Sequence, residues 1–372
     1  MKLCLIVGTR PEIIKMSPLI RECEKKKLNY FVLHAGQHFS YNMDKVFFDD
    51  LELPQPRYNL KVGEEYSRFQ IRTMIKKISE VLLQERPDYV LVLGDTNTVL
   101  AGSLAANRLG LTLIHIEGGL RSFDIVMAEE VNRMIADYLS ELIFIPTMNA
   151  RENLFKEGVS KSKIIYSGNT IVDSVYQNLK IAQKKINVLK AIGLEEKNYF
   201  LVTLHRAENV DIKERLAGIL DGFGLVYKKF NIPLVLPMHP RTKKMIKNFG
   251  LRVPKGVRIL EPLSFLEFLL LESMAKLILT DSGGLQEEAC ILKVPCVTLR
   301  DNTERPETIE IGANMLCGTE SSRIYSGVNT MLTKKIKWSN PFGDGKSAER
   351  IICVLTRYNK SQSNKKKSRR NR

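Results

Sequence analysis

Short apolar runs alternate with longer amphipathic stretches along the whole chain. Leu3–Val7, Phe31–Ala35, Tyr89–Leu93, Thr112–Ile116 and Leu142–Ile145 read as strands buried on both faces. Between the first two, Ile13, Met16, Leu19, Ile20 and Cys23 recur at spacings of three and four, which predicts a helix over 13–24. Arg68–Gln84 and Val99–Leu109 behave the same way, and a further helix is expected from Glu129 to about Leu139. After the Lys-rich stretch Lys180–Lys197 the rhythm restarts, with strands expected at Phe200–Leu204, Pro233–Pro237, Val257–Leu260, Leu277–Thr280 and Val294–Leu299. Alternation of this kind implies right-handed crossovers and mostly parallel sheets, so the fold class is α/β, with two doubly wound domains joined near residue 170. Ligands of such sheets lie beyond the carboxyl ends of the strands, and two such domains facing each other are expected to share one cleft.

Composition narrows this picture. At 372 residues, 44% hydrophobic and 26% charged, the chain has an ordinary globular make-up and length for two domains. No run of about 18 apolar residues offers a membrane span. The opening Met1–Gly8 is too short for a signal peptide, so a cytoplasmic location is expected. Of the net charge of +16, +7 lies between Lys360 and Arg372, where no acidic residue occurs. Such a tail repels itself and buries nothing, so 360–372 is expected to be disordered and to have no specific nucleic-acid partner. The remaining +9 suits an enzyme that attracts anionic substrates. Six scattered cysteines without a Cys-x-x-Cys pair, and five histidines without His-Glu-x-x-His spacing, indicate neither disulfides nor a metal. No Gly-x-Gly-x-x-Gly follows a predicted strand and no P-loop occurs, which disfavours tightly bound NAD, and no cofactor is expected.

Polar clusters stand at almost every strand end. Gly8-Thr9-Arg10-Pro11-Glu12 opens a helix whose free amides favour an anion. Helix capping explains Pro11, but not the two nearby cations Arg10 and Lys15, which favours phosphate contact. Asp95 follows the third strand and Glu117 the fourth, so both emerge at one sheet edge. Asp95 also suits a helix N-cap. A carboxylate directly after Leu113-Ile114-His115-Ile116 is partly desolvated, which suits a base. Glu129 and Arg133 are four apart and share a helix face, as a plain surface ion pair also would. In the second half, His205-Arg206, His239-Pro240-Arg241, Asp281-Ser282-Gly283-Gly284 and Arg300–Glu307 all follow strands. The Ser-Gly-Gly turn offers amides to a diphosphate, and Glu288 lies one helical turn on, within reach of ribose hydroxyls. Together these residues describe a two-domain α/β enzyme acting on a phosphorylated, nucleotide-linked small molecule.

Taken in order, Gly8-Thr9-Arg10-Pro11-Glu12-Ile13-Ile14-Lys15, Gly36-Gln37-His38, Gly94-Asp95-Thr96, Glu117-Gly118-Gly119-Leu120-Arg121, Glu129-Glu130-Val131-Asn132-Arg133, His205-Arg206, Asp281–Glu288, Thr303–Glu307 and Asn340-Pro341-Phe342-Gly343-Asp344-Gly345 resemble the non-hydrolysing UDP-N-acetylglucosamine 2-epimerases. The resemblance runs from about residue 3 to 355. It implies two Rossmann-like domains of glycosyltransferase GT-B type: 1–170 for the sugar and acid/base residues, 171–346 for UDP, and a terminal helix at 347–359 packing back on the first. It implies reversible conversion of UDP-GlcNAc to UDP-ManNAc, by anti elimination of UDP through 2-acetamidoglucal and re-addition, in a homodimer.

By the same resemblance Asp95, Glu117 and Glu129 are the acid/base candidates, with His205 near the diphosphate and sugar and Arg133 orienting the group. Arg10, Lys15, Ser282, Gly283, Gly284 and Arg305 hold the phosphates or position the sugar, Glu288 takes the ribose hydroxyls and Phe268 faces the uracil. Gln37, His38, Arg206 and His239 match parts of a second, activating UDP-GlcNAc site of bacterial members, but the Glu64 region lacks its arginine. Gly118 replaces the usual alanine, a small-for-small change expected to be harmless, and Met127-Ala128 stands where proline precedes the glutamate pair. The competing functions are a GT-B glycosyltransferase, which needs an acceptor pocket, and a hydrolysing epimerase releasing ManNAc and UDP.

Overall fold

The computed structural model describes residues 1–37, 41–63, 67–186 and 188–370. Its strands are β1 (Lys2–Val7), β2 (Asn29–His34), β3 (Tyr58–Asn59), β4 (Tyr89–Leu93), β5 (Thr112–Ile116), β6 (Leu142–Ile145), β7 (Ile164–Tyr166), β8 (Phe200–Thr203), β9 (Leu234–Pro237), β10 (Val257–Leu260), β11 (Leu277–Thr280), β12 (Cys296–Thr298) and β13 (Asn314–Leu316). They form two sheets, ordered β3-β2-β1-β4-β5-β6-β7 and β10-β9-β8-β11-β12-β13. Every pairing is parallel, as in β1 with β4 and β8 with β11. Each order turns back at a central pair, β1/β4 in one sheet and β8/β11 in the other. That is the doubly wound pattern, with its ligand crevice at the turning point.

Parallel strands covered by helices on both faces must be apolar throughout, and all five residues of β4 are buried. Ile6, Leu33 and Val92 of the first sheet pack with Met74, Ile78, Ala101 and Ala105 from its helices. In the second sheet Val202, Leu279 and Val297 pack with Leu216, Ile219, Phe223, Ile324 and Val328. β3, β7 and β13 have no counterpart in the apolar pattern. Each is two or three residues long and lies at a sheet edge, too short to register as a run.

The chain divides into two units, Met1–Tyr176 with Phe342–Arg372, and Gln177–Pro341. The crossing at 176/177 lies inside the helix Thr170–Lys185, and the return falls at 341/342. Helix Ser347–Arg370 belongs to the first unit and packs on helix Arg10–Lys25. Asp173 caps it, accepting from the amides of Ser347 (3.1 Å) and Ala348 (3.0 Å). The chain stays helical past Lys360, where the sequence predicts disorder. A docked helix has already met its nucleation cost, and Lys and Arg are good helix formers, so charge alone does not end it. Among the described residues no helix is long and apolar enough to cross a membrane.

Candidate active site

In the first unit the turn after β1 is tied to the turn after β4 by Glu12. This buried carboxylate accepts from the amides of Gly8 and Thr9, both at 2.8 Å, and from Thr96 Oγ1 at 2.5 Å. Burial pushes its carboxyl up to about 7 despite those donors. Arg10 is exposed at the helix start. Lys15, one turn further, places Nζ 2.6 and 2.8 Å from the two carboxylate oxygens of Glu117.

Glu117 follows β5, is 8% exposed and has φ +66°, a left-handed conformation that costs a non-glycine residue about 1 kcal/mol or more. What holds this turn lies behind it. Buried His115 places Nδ1 2.7 Å from Asp137 and Nε2 2.8 Å from the Gly94 carbonyl. Asp137 also accepts from the Gly119 amide at 3.1 Å and pairs with Arg121 at 2.8 Å. Burial disfavours charge on His115, but the Asp137 carboxylate prevails and raises its pKa; burial likewise opposes, and His115 and Arg121 outweigh it, so Asp137 is lowered. The pair is ionic. It fixes the turns carrying Asp95 and Glu117, and no sequence motif marks His115 or Asp137 for this part.

Asp95 accepts from Arg133 Nη2 in a short contact, and its carbonyl accepts from Asn132 Nδ2 at 3.0 Å. Arg133 engages Asp95 and, through Nη1 at 2.9 Å, Glu130, rather than Glu129. Glu130 is buried and accepts from Ser122 N and Oγ (2.9 Å each) and Phe123 N (3.0 Å). Burial opposes the charge on Glu130, but the Ser122 and Phe123 donors and Arg133 hold its pKa low. Glu129 itself is exposed. Lys15, Asp95 and Glu129 line one cavity of about 440 Å³ with Glu12 and Asn132; Glu117 meets it through Lys15. Gln37 also borders it, but its Oε1 accepts from Thr98 N (3.1 Å) and Oγ1 (2.9 Å). His38 and Glu64 lie outside the described residues.

Gly118 corrects an expectation. A Cβ added there would stand 2.4 Å from Ile143 Cγ2 and 2.5 Å from Asp137 Oδ1, so alanine is not a harmless exchange at this position.

In the second unit the turning point of the sheet brings His205, after β8, against Asp281, after β11. His205 Nδ1 is 3.0 Å from Asp281 Oδ1, and Asp281 Oδ2 accepts from the amides of His205 and Arg206, both at 2.9 Å. Asp281 is fully buried; burial opposes its charge, but these donors lower its pKa. A carboxylate at Nδ1 favours the ring proton there, which leaves Nε2 as the acceptor nitrogen. The His239 ring lies 5.7 Å from that of His205, and its Nδ1 accepts from the Arg241 amide at 3.2 Å. Burial and then His205 lower its pKa.

Ser282 is the N-cap of helix Gly283–Leu292 and makes no side-chain capping bond. Gly284 is exposed at that end. The Glu304 carboxylate stands 3.2 Å from where a Gly283 Cβ would be, held by Arg300 at 2.8 and 3.0 Å and with Arg206 at 3.7 Å. Arg300 draws its carboxyl down to about 2. Arg305 pairs with buried Glu287 at 2.8 Å. Phe268 is half-buried on helix Phe265–Met274, and Glu288 is half-buried on helix Gly283–Leu292. The structure thus groups Lys15, Asp95, Glu117, Glu129 and Arg133 in the first unit, and His205, Arg206, His239, Ser282 and Gly283 in the second.

The sequence profile of the family described as UDP-N-acetylglucosamine 2-epimerase matches residues 21–356. The UDP-N-acetylglucosamine 2-epimerase of Methanocaldococcus jannaschii is 53% identical over 363 residues, covering 96% of this chain and 99% of that protein. The enzyme of the same description from Methanococcus maripaludis is 52% identical over 360 residues, covering 95% and 98%. The crystal structure of the M. jannaschii UDP-GlcNAc 2-epimerase in complex with UDP-GlcNAc and UDP superposes with a TM-score of 0.84 over 96% of this chain and 99% of that one. The chain belongs to the UDP-N-acetylglucosamine 2-epimerase family.

Proposed function

We propose that this protein interconverts UDP-GlcNAc and UDP-ManNAc by anti elimination of UDP to 2-acetamidoglucal, followed by re-addition with a proton delivered to the opposite face of carbon 2. The observation that carries this reading is the pair of strand-end carboxylates, Asp95 and Glu117, each held against its own fixed cation, Arg133 and Lys15. Removing a proton from carbon 2 and returning one to either face requires more than one acid/base group, and Glu129 on the cavity wall supplies a third. Lys15, read from the sequence as a phosphate ligand, serves here as the counter-ion of Glu117.

Breaking the bond at carbon 1 releases a diphosphate whose charge must be met as it develops. The Ser282-Gly283-Gly284 amides and Arg305 take that role, with His205 Nε2 beside them under the control of Asp281, while Arg10 helps position the sugar. Glu288 holds the ribose and Phe268 the uracil. The first unit handles the sugar and the second the nucleotide. The elimination and the addition cancel in redox terms, so no cofactor is called on. Gln37, Arg206 and His239 are reserved for further phosphate or second-site contacts, and the protein works as a homodimer, which light scattering at twice the chain mass checks.

The test is incubation with UDP-GlcNAc alone in D2O, followed by proton NMR. UDP-ManNAc with deuterium at carbon 2, and no accumulating UDP, is the expected result. Accumulating UDP and free ManNAc overturn it in favour of hydrolysis. Unchanged UDP-GlcNAc that is consumed only when a sugar acceptor is added overturns it in favour of glycosyl transfer.

A further inference from the structure

Beneath the nucleotide end of the second unit lies a carboxyl that no role so far uses. Glu272 stands on helix Phe265–Met274, one turn beyond Phe268 on the same face, and is 0% exposed. Among the described residues, neither of its oxygens accepts a hydrogen bond from any N–H or O–H. Its polar neighbour is the carboxyl of Glu288, within hydrogen-bonding reach on helix Gly283–Leu292. Two carboxyls that close, one of them fully buried with no donor of its own, resist double ionisation; one carries a proton and donates it to the other. The fully buried member keeps the proton, since half-buried Glu288 is better solvated.

We propose that Glu272 is a positioning residue for the nucleotide: a neutral carboxyl that donates a hydrogen bond to the Glu288 carboxylate and holds it toward the ribose hydroxyls. Burial, and then the charge of Glu288, raise the Glu272 pKa well above the usual carboxylate range, which agrees with the proton resting there. Cys296, which also senses Glu272, is itself pushed up by burial and is a neutral thiol. The pair fixes the Glu288 rotamer before the ligand arrives.

The inference rests on Glu288 contacting the ribose, and the experiment separates the two. Binding of UDP and of 2′-deoxy-UDP is measured by calorimetry for the wild type, Glu272→Gln, Glu272→Met and Glu288→Ala, each with its Tm. Glu272→Gln keeps a donor and should retain the preference for UDP. Glu272→Met fills the space without a donor and should bind UDP roughly tenfold more weakly, the worth of one hydrogen bond to a charged group, with 2′-deoxy-UDP little affected. Its Tm should hold or rise, because replacing a buried polar group by an apolar one of similar volume is neutral or favourable. In turnover, KM should rise while kcat stays within about twofold. Wild-type discrimination in Glu272→Met, with discrimination lost in Glu288→Ala, overturns the role of Glu272. Equal losses in Glu272→Gln and Glu272→Met overturn it too. Full discrimination in Glu288→Ala removes the ribose contact itself.

Discussion

Replacing Asp281 by asparagine isolates what one buried charge does for His205. The exchange keeps the shape of a side chain that is 0% exposed. Its single carbonyl oxygen can still take the Oδ2 place and accept from the amides of His205 and Arg206, each 2.9 Å away. Those two bonds lose the charged acceptor, a difference of about 1 kcal/mol each, so unfolding stability should fall by about 2 kcal/mol. For a unit the size of Gln177–Pro341 that corresponds to a Tm drop of roughly 4–8 °C. The new amide nitrogen then takes the Oδ1 place, 3.0 Å from His205 Nδ1. It can only donate there, so the ring must move its proton to Nε2.

A donor would replace an acceptor at the nitrogen assigned to the reaction, and the rate should fall by about 10²- to 10⁴-fold with KM little changed. Two measurements check this: initial rates of UDP-ManNAc formation, and nitrogen-15 chemical shifts of the His205 ring, which distinguish the tautomers directly. Turnover within threefold of wild type, alongside an inverted tautomer, would refute any working role for Nε2. An unchanged tautomer would refute the orienting role of Asp281.

Gly118→Ala should cost about 1–3 kcal/mol by urea unfolding, because its Cβ would enter the space of Ile143 and Asp137; a wild-type midpoint contradicts the tight packing behind Glu117. The His115–Asp137 pair predicts a pH signature: with the folded His115 pKa raised, its contribution is complete below about pH 6.5 and fades as pH climbs through the higher folded value. The Asp137 contribution, from a depressed pKa, is complete above about pH 3.9 and fades as pH falls, and His115→Asn should remove the alkaline limb and shrink the acid limb to the part that Arg121 holds. Arg133→Lys cannot bridge Asp95 and Glu130 with two separate nitrogens, so turnover should drop about tenfold or more while a full charge is retained; an unaltered rate removes Arg133 from the acid/base group. A chain ending at Ser361 keeps the Tyr358 contact to Glu141 (2.8 Å) and should turn over normally, whereas a lost rate would assign the basic end a part in catalysis.

What the sequence discloses follows from which interactions leave a local trace. Strands buried on both faces must be apolar for their whole length, so β1, β4, β5 and β11 stand out as runs, and the residues after them are found at the sheet edge where ligands bind. Asp95, Glu117, His205 and the Ser-Gly-Gly turn are legible for that reason. β3, β7 and β13 are not, since an edge strand of two or three residues needs only a partner to pair with. The supports of the site are hidden more deeply. Asp137 and Glu272 each sit in the last turn of a helix, where an acid ordinarily reads as a solvated face; only the fold reveals that both are buried, at 2% and 0% exposure. A buried acid is tolerable where something in three dimensions answers its charge. For Asp137 the answer is His115 and Arg121, 16 or more positions earlier in the chain, and for Glu272 it is a shared proton. Functional groups therefore show in a single sequence through the strand ends that display them, while the groups that aim them show only through distances, because their partners come from other elements of the fold.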